Sequence, residues 1–404
     1  YKQKNLRAAY DQGLFTEQDL DANLSGLLRV MFLTGHIDGD APTGERNTPE
    51  HQALALEMAE AGITLLKNKG GRLPLDPARS HKLCLLGPKL KRRNCWPLWG
   101  GSAGVWPPHE VTPLQGMQAE NRERFEFVPD PEGADTVILF LGLGHRPGQD
   151  SEVRDRRSLN LPKKQRELLA DTVRRNANTV VVLVNGSPLA MPWLDQVPAV
   201  LEAWYPGMEG GRAIARVLFG DVNPAGKLPV TFPATLKDSP AHSSDRSYPG
   251  QRKEVHYDEE LLVGYRHFDR HQVEPLFPFG HGLSYTRFDY SDLYVATPGI
   301  AAGGNLECSL KITNSGDRSG TEVVQLYIAN PGTAADRPVQ ELKAFARVTL
   351  APGESQRVHF SIEASVLAVY CNEQRSWSTE VGVREICIGS SSRDIRLSTT
   401  FRLQ

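Results

Sequence analysis

The sequence predicts a multidomain chain, an α/β sandwich with a mostly parallel sheet followed by an antiparallel β-sandwich. Three observations carry this. Four strand-like apolar runs, KLCLLG (82–87), TVILFLGLG (136–144), TVVVLVNG (179–186) and AVLEAWY (199–205), alternate with amphipathic stretches, the pattern of a parallel sheet covered on both faces. From about residue 288 the period becomes two: LECSLKITNSG, TEVVQLYIAN, QELKAFARVTL and SQRVHFSI alternate apolar and polar residues between Gly, Asn and Pro turn signals, as short antiparallel strands do. The length, 404 residues, accommodates two or three domains, each able to close its own core.

In chain order, Tyr1 opens an amphipathic helix with neither a Met nor a signal peptide before it, so the sequence reads as a piece of something longer. Thr16 followed by Asp19 offers an N-cap, and Leu20, Leu24, Leu27, Leu28 and Met31 recur at helical spacing before a stop at Gly35. Residues 1–38 are therefore expected to be helical, with an apolar face that nothing upstream covers. Residues 39–49 are polar with Gly and Pro and read as a linker. Thr48-Pro49, a cap followed by proline at the first helical position, starts a helix through Leu54, Met58 and Ala61. It opens the expected α/β sandwich, residues 50–235. Pro162 begins another helix, with Leu168, Leu169 and Val173 on one face, and Ala213, Ile214, Val217 and Leu218 line a third that ends at Gly220. Residues 236–287, rich in Pro, Gly and aromatics, form a connecting arm, and residues 288–404 the β-sandwich.

Composition excludes several function classes. Lys plus Arg is 46 against 48 for Asp plus Glu, a net charge of −2, which leaves no electrostatic footprint for a nucleic acid or an anionic membrane. The basic cluster at 89–93 reads as a solvated loop. No apolar run is long enough to span a bilayer. The five cysteines form no CxxC pair and are too sparse to staple a fold; Cys84 and Cys387 sit in strand-like runs and read as inert core thiols. No GxGxxG follows the first strand, no His or Cys cluster has metal-ligand spacing and no GxSxG elbow exists. No cofactor and no metal are expected. The serines of NGSP (185–188) and GGSAG (100–104) read as turn residues.

One loop stands out. After the second strand, GLGHRPGQDSEVRDRRSLNLP (142–162) carries Asp150, Glu152 and Asp155 among Arg146, Arg154, Arg156 and Arg157. Sites in such sheets lie outside the carboxyl ends of the strands. A carboxylic acid there can act as a general acid if its surroundings keep it protonated. On the residues alone a solvated salt-bridge loop is the favoured reading.

Several segments, in order, resemble the C-terminal half of glycoside hydrolase family 3, the β-glucosidase family. They are GITLLKNKGGRLPL (62–75), WGGSAGVWPPHEVTPLQGM (99–117), SEVRDRRSLNLP (151–162), VVVLVNGSPLAMPWL (180–194), EAWYPGMEGGRAIARVLFGDVNPAGKLPVTFP (202–233), VGYRHFD (263–269) and PLFPFGHGLSYTRFDYSDL (275–293). The resemblance implies a TIM-type barrel, then an α/β sandwich, then a fibronectin-III-like β-sandwich. Residues 1–38 resemble the last helix of that barrel, and the stretch between Leu114 and Val137 is too short for an inserted module.

The resemblance also implies a retaining mechanism, with an aspartate nucleophile in the barrel, which this chain lacks, and a glutamate acid/base on a loop of the α/β domain. Residues 151–156, SEVRDR, match the stretch that carries that glutamate, so Glu152 is the expected acid/base and Asp155 and Arg156 are expected to brace its loop by local ion pairing. Val153 replaces the usual glycine. Ser102 matches a loop that approaches the sugar, with Trp99 and Trp106 beside it as an aromatic wall or as packing. The implied substrate is a β-linked oligosaccharide or glycoside, a β-glucoside first and a β-xyloside as the alternative. A chain with one of two catalytic carboxyls is expected to be inactive alone. A non-catalytic carbohydrate-binding or partner-binding fragment is the rival from another class. The residues leave the compartment open, and the resemblance favours a secreted or periplasmic one.

Overall fold

The computed structural model describes residues 2–39, 43–95, 104–152, 154–301, 303–330, 337–371 and 373–404. The chain divides into two compact units, residues 1–53 and 54–404. In the first, α1 (Gln3–Asp11) and α2 (Glu17–Leu33) are set by local signals. The Thr16 hydroxyl accepts from the Asp19 N–H at 3.2 Å while the Asp19 carboxylate accepts from the Thr16 N–H at 2.8 Å, so two of the otherwise unpaired amides at the helix start are satisfied reciprocally. No residue of α2 is buried, and Leu20, Leu24, Leu27 and Leu28 each expose 45% or more. An apolar stripe of that width is built to be covered. Helix α3 (Pro49–Gly62) begins where Thr48 caps it, its hydroxyl accepting from the His51 N–H at 3.3 Å.

The second unit is built on a six-stranded sheet. Its strands are β1 (Thr64–Asn68), β2 (Lys82–Leu86), β3 (Glu126–Phe127), β4 (Thr136–Gly142), β5 (Thr179–Val184) and β6 (Ala199–Glu202), in the order β1-β6-β5-β4-β2-β3. All neighbours are parallel except β1 with β6. The apolar runs at 82–87, 136–144, 179–186 and 199–205 thus form the four inner strands, and the edge strands β1 and β3 are additions that the apolar pattern had not marked as strands.

Every residue of β4, β5 and β6 is buried. The strand alternation divides their side chains between two layers. Ile138, Phe140, Val180 and Val182 pack with Met117 of α4 (Pro113–Glu120) and with Ala213, Ile214, Val217 and Leu218 of α6 (Gly210–Phe219). Leu139, Leu141, Val181 and Leu183 pack with Leu169 of α5 (Lys163–Arg175) and with Trp193. The connection through α4 leads from β2 outward to β3, and the one through α5 leads from β4 to β5 on the other side. The order therefore reverses between β2 and β4, and that reversal opens the crevice where sites form.

From residue 288 the chain forms the β-sandwich: β7 (Phe288–Val295), β8 (Gly299–Ile300), β9 (Asn305–Asn314), β10 (Gly320–Ala329), β11 (Gln340–Leu350), β12 (Ser355–Glu363), β13 (Val369–Cys371), β14 (Ser376–Ser378), β15 (Gly382–Gly389) and β16 (Ile395–Leu403). A five-stranded sheet, β11-β10-β15-β16-β8, faces a three-stranded one, β12-β9-β7. Leu310, Ile312, Val324, Leu326, Ile386 and Ile388 fill the space between them. Residues 221–286 join the two layers: the Tyr285 hydroxyl donates to the Val217 carbonyl at 3.0 Å, the His281 ring lies 2.9 Å from the Leu66 carbonyl, and Lys227 pairs with Glu322 at 2.9 Å. α7 (Tyr265–Arg270) holds the sandwich through the Tyr265 hydroxyl, which accepts from the Leu342 N–H at 2.9 Å.

Helices α4 and α6 meet backbone to backbone. A Cβ on Gly116 would lie 1.9 Å from the Gly211 carbonyl oxygen, and one on Gly211 would lie 2.2 Å from the Thr112 oxygen. No rotamer relieves a clash with main chain. Gly116→Ala is therefore expected to cost at least about 3 kcal/mol, read as a lowered urea midpoint of the 404-residue chain. An unchanged midpoint would show that the two helices separate freely.

Candidate active site

The crevice is lined by the loops that leave the carboxyl ends of β2, β4, β5 and β6. At the end of β4, Gly142 has φ +139°, and a Cβ there would lie 2.1 Å from the Val184 oxygen, so only glycine lets β4 and β5 end side by side. Gln165 of α5 satisfies that strand end, donating to the Gly142 carbonyl at 2.8 Å and accepting from its N–H at 2.9 Å. The chain then turns tightly, closed by the Gly144 N–H donating to Gln149 Oε1 at 2.9 Å, and reaches Asp150.

The Asp150 carboxylate is the hub of the crevice. Its Oδ2 accepts from the Gly186 N–H and from the Tyr205 hydroxyl, both at 2.8 Å, and its Oδ1 accepts from the Ser187 hydroxyl. Arg156 approaches the same serine from the far side of the loop, with Nη1 donating to Ser187 Oγ at 2.6 Å and to the Pro188 carbonyl at 2.8 Å. Burial lowers the Arg156 pKa and Asp150 opposes that shift. The Tyr205 phenol is pushed up by burial and then by Asp150, which keeps it a donor. The His145 ring lies 4.6 Å from that of Tyr205 and 3.1 Å from the Asp150 carbonyl.

Beneath this layer lies Glu202, the fully buried last residue of β6. It accepts from the Trp204 N–H at 3.0 Å and from Asn185 Nδ2 at 3.2 Å, and burial holds its pKa well above the usual carboxylate range. Asn185 Nδ2 also donates to the Ser187 carbonyl at 3.0 Å. The loop after β2 is fixed separately. Glu110 accepts from the N–H groups of Asn94 and Cys95, and Lys89 Nζ donates to Asn94 Oδ1 at 2.7 Å while lying 5.6 Å from the Tyr205 ring centroid.

Glu152 is exposed, between the two residues, Asp150 and Arg156, that reach Ser187. Asp155 accepts from the Tyr248 hydroxyl at 3.0 Å. The described bonds of Asp155 and Arg156 thus run outward, to Tyr248 and to the 187–188 turn. Trp106 is exposed; Ser102, Trp99 and Val153 lie outside the described residues. Among the described residues no group of His, Cys, Asp or Glu is arranged to hold a metal ion, and no helix is long and apolar enough to cross a membrane. All five cysteines are free thiols. Ser187 and Tyr205 were not singled out, because NGSP read as a turn and Tyr205 as the end of a strand-like run; their bonds to Asp150 appear only when the β5 and β6 ends are brought beside it.

A doubly covered parallel sheet with a polar loop cluster at its reversal point, followed by a β-sandwich, defines a two-domain α/β-plus-β-sandwich chain. Residues 63–285 match the glycosyl hydrolase family 3 C-terminal domain, and residues 322–392 match the fibronectin type III-like domain. The chain belongs to glycoside hydrolase family 3. It is 34% identical to a beta-glucosidase of Bacteroides ovatus over 99% of this chain and 58% of the relative, and 34% identical to the thermostable beta-glucosidase B of Acetivibrio thermocellus over 99% of this chain and 54% of the relative. The chain spans little more than half the length of these curated relatives. Among solved structures it superposes on a beta-glucosidase of Bifidobacterium adolescentis with a TM-score of 0.88 at 30% identity, covering 99% of this chain and 60% of that one. It superposes on the beta-glucosidase DesR of Streptomyces venezuelae, in complex with D-glucose, with a TM-score of 0.89 at 27% identity, covering 99% of this chain and 66% of that one.

Lys89 supplies a pH test of this crevice. Contrary to the solvated loop expected of residues 89–93, it exposes 3% of its surface, and burial, with Arg92 acting the same way, pushes its pKa from 10.5 down to about 7. Between those two values the unfolded chain holds the extra proton, so stability rises with pH across that window. Lys89→Met removes the titration. Its stability relative to the parent is expected to fall by on the order of a few kcal/mol between pH 7 and pH 10.5, measured by urea unfolding at several pH values. Parallel pH profiles for the two proteins would mean that Lys89 stays solvated.

Proposed function

We propose that this chain is the acid/base-bearing part of a retaining exo-β-glycosidase that removes terminal β-D-glucosyl residues, with Glu152 as the acid/base. The observation that carries this reading is the SEVRDR stretch in the loop after β4, with Glu152 exposed and Asp150 and Arg156 bonded to the turn after β5, in a chain whose relatives are beta-glucosidases. A glutamate so placed can approach a leaving-group oxygen above the crevice. Retention requires a second carboxylate roughly 5–5.5 Å away as nucleophile. That nucleophile and most groups that recognise the sugar belong to the part of the relatives that this chain does not span. The substrate is a β-linked glucoside or oligosaccharide, and Asp155 and Arg156 support the Glu152 loop.

Two outcomes test this reading. Alone, the 404-residue chain is expected to hydrolyse an aryl β-glucoside no faster than a buffer control, since without a nucleophile no glycosyl-enzyme forms; ordinary glucosidase turnover would place the nucleophile within it. In the enzyme that joins this chain to the nucleophile-bearing part, Glu152→Gln is expected to slow cellobiose hydrolysis about 10²–10⁴-fold, and glycosylation by a dinitrophenyl glucoside far less, because an activated phenol leaves without an acid. Deglycosylation also needs the base, so a burst is expected, with turnover restored by azide. Asp155→Asn should slow both substrates alike. If Asp155→Asn shows the leaving-group dependence and the azide rescue while Glu152→Gln does not, the acid/base is Asp155.

A further inference from the structure

We infer that Ser187, bridging Asp150 and Arg156, is the positioning residue that sets where Glu152 stands; this rests on Glu152 being the acid/base. Asp150 and Arg156, on either side of Glu152 in the sequence, are two feet that meet on one hydroxyl. At one foot Asp150 Oδ1 accepts from Ser187 Oγ, and at the other Arg156 Nη1 donates to Ser187 Oγ at 2.6 Å. A serine hydroxyl has one hydrogen to donate and lone pairs to accept with, and here it uses both at once, each toward a charged partner. Hydrogen bonds to charged groups are the stronger class, and a chain of them polarises in one direction, Arg156 to Ser187 to Asp150.

The bridge stands on the sheet. Ser187 belongs to the turn after β5, the Gly186 N–H in that turn donates to Asp150 Oδ2 at 2.8 Å, and the turn is tied through Asn185 to buried Glu202 at the end of β6. Tyr205, just beyond β6, donates to the same Asp150 oxygen. Two strand ends thus converge on Asp150, and Ser187 links that foot to Arg156. Glu152 lies two residues from the first foot and four from the second, so a displacement of either foot is passed to the backbone that carries it. General-acid help depends on a hydrogen-bonding approach to the leaving oxygen, and displacements near 1 Å cost about 10²-fold in rate.

The test uses the enzyme that joins this chain to the nucleophile-bearing part, with cellobiose and a dinitrophenyl β-glucoside as probes. Ser187→Ala removes both bonds of the bridge, Asp150→Asn weakens one, and Ser187→Thr retains the hydroxyl. Ser187→Ala is expected to lower kcat for cellobiose about ten- to hundredfold, with a much smaller loss in dinitrophenyl glucoside glycosylation and little change in either KM. Asp150→Asn should fall in the same direction, and Ser187→Thr should regain most of the cellobiose rate. A purely structural role would slow both substrates equally. That result, or wild-type cellobiose rates in both Ser187→Ala and Asp150→Asn, overturns the inference when Glu152→Gln in the same assay shows leaving-group dependence. If Glu152→Gln shows none, the acid/base reading itself falls and takes this inference with it. Should Ser187→Ala not fold, the paired substrates read through Asp150→Asn and Ser187→Thr decide the matter: equal losses on both substrates count against it, and a selective loss restored by the threonine hydroxyl counts for it.

Discussion

A parallel strand buried on both faces can offer polar groups only at its ends. β4, β5 and β6 carry this constraint to its limit, with every residue buried between α5 on one side and α4 and α6 on the other. Their backbone groups are consumed by the ladder and their side chains by the two apolar layers. Whatever chemistry the domain supports is displaced to the residues just past Gly142, Val184 and Glu202, where parallel register brings three loops together. The reversal of strand order between β2 and β4 keeps that convergence open to a ligand instead of closing it with a crossover helix.

The polar groups at these ends are arranged in depth. Glu202 is deepest, its pKa raised by burial, and it accepts from the Trp204 N–H and from Asn185. Burial acts on Lys89 in the opposite sense, down to about 7. In both cases the interior favours the neutral form, as desolvation requires. Charge is admitted only one layer higher, where Asp150 and Arg156 reach Ser187 from opposite sides and the phenol of Tyr205 and the amide of Gly186 supply further donors. The glutamate stands above that layer, in solvent.

How much of this was legible in the sequence follows from the range of each interaction. The inner strands were readable because double burial writes a continuous apolar run, and Thr16, Thr48 and Gly220 marked helix ends through neighbours within a few residues. β1 was not, because TLLKN follows directly on the helical pattern of α3 and an apolar run alone does not separate strand from helix. β3 and β8, two residues each, are too short to show any period. In the loop after β4, residue chemistry alone favoured a solvated salt-bridge loop over a general acid, and Glu152 was singled out by resemblance. Asp150 and Ser187 are 37 residues apart. No local pattern joins them, and NGSP read as a turn, which the Asn185 bond to the Ser187 carbonyl also makes it.

On the reading proposed above, a turn residue and a positioning residue are the same serine. The backbone of Ser187 is held by Asn185 and hence by the sheet, and its hydroxyl is held between Asp150 and Arg156. Tying both ends of so short a stretch to one support reduces the freedom of what lies between them. An acid on a free loop would be placed by chance contacts with the substrate. With Glu152 as the proposed acid, its placement comes from the ends of β5 and β6, elements stiffer than the loop itself. On that proposal the exposed position of Glu152 and the rigidity demanded of a catalytic acid are compatible, because the rigidity is supplied from below.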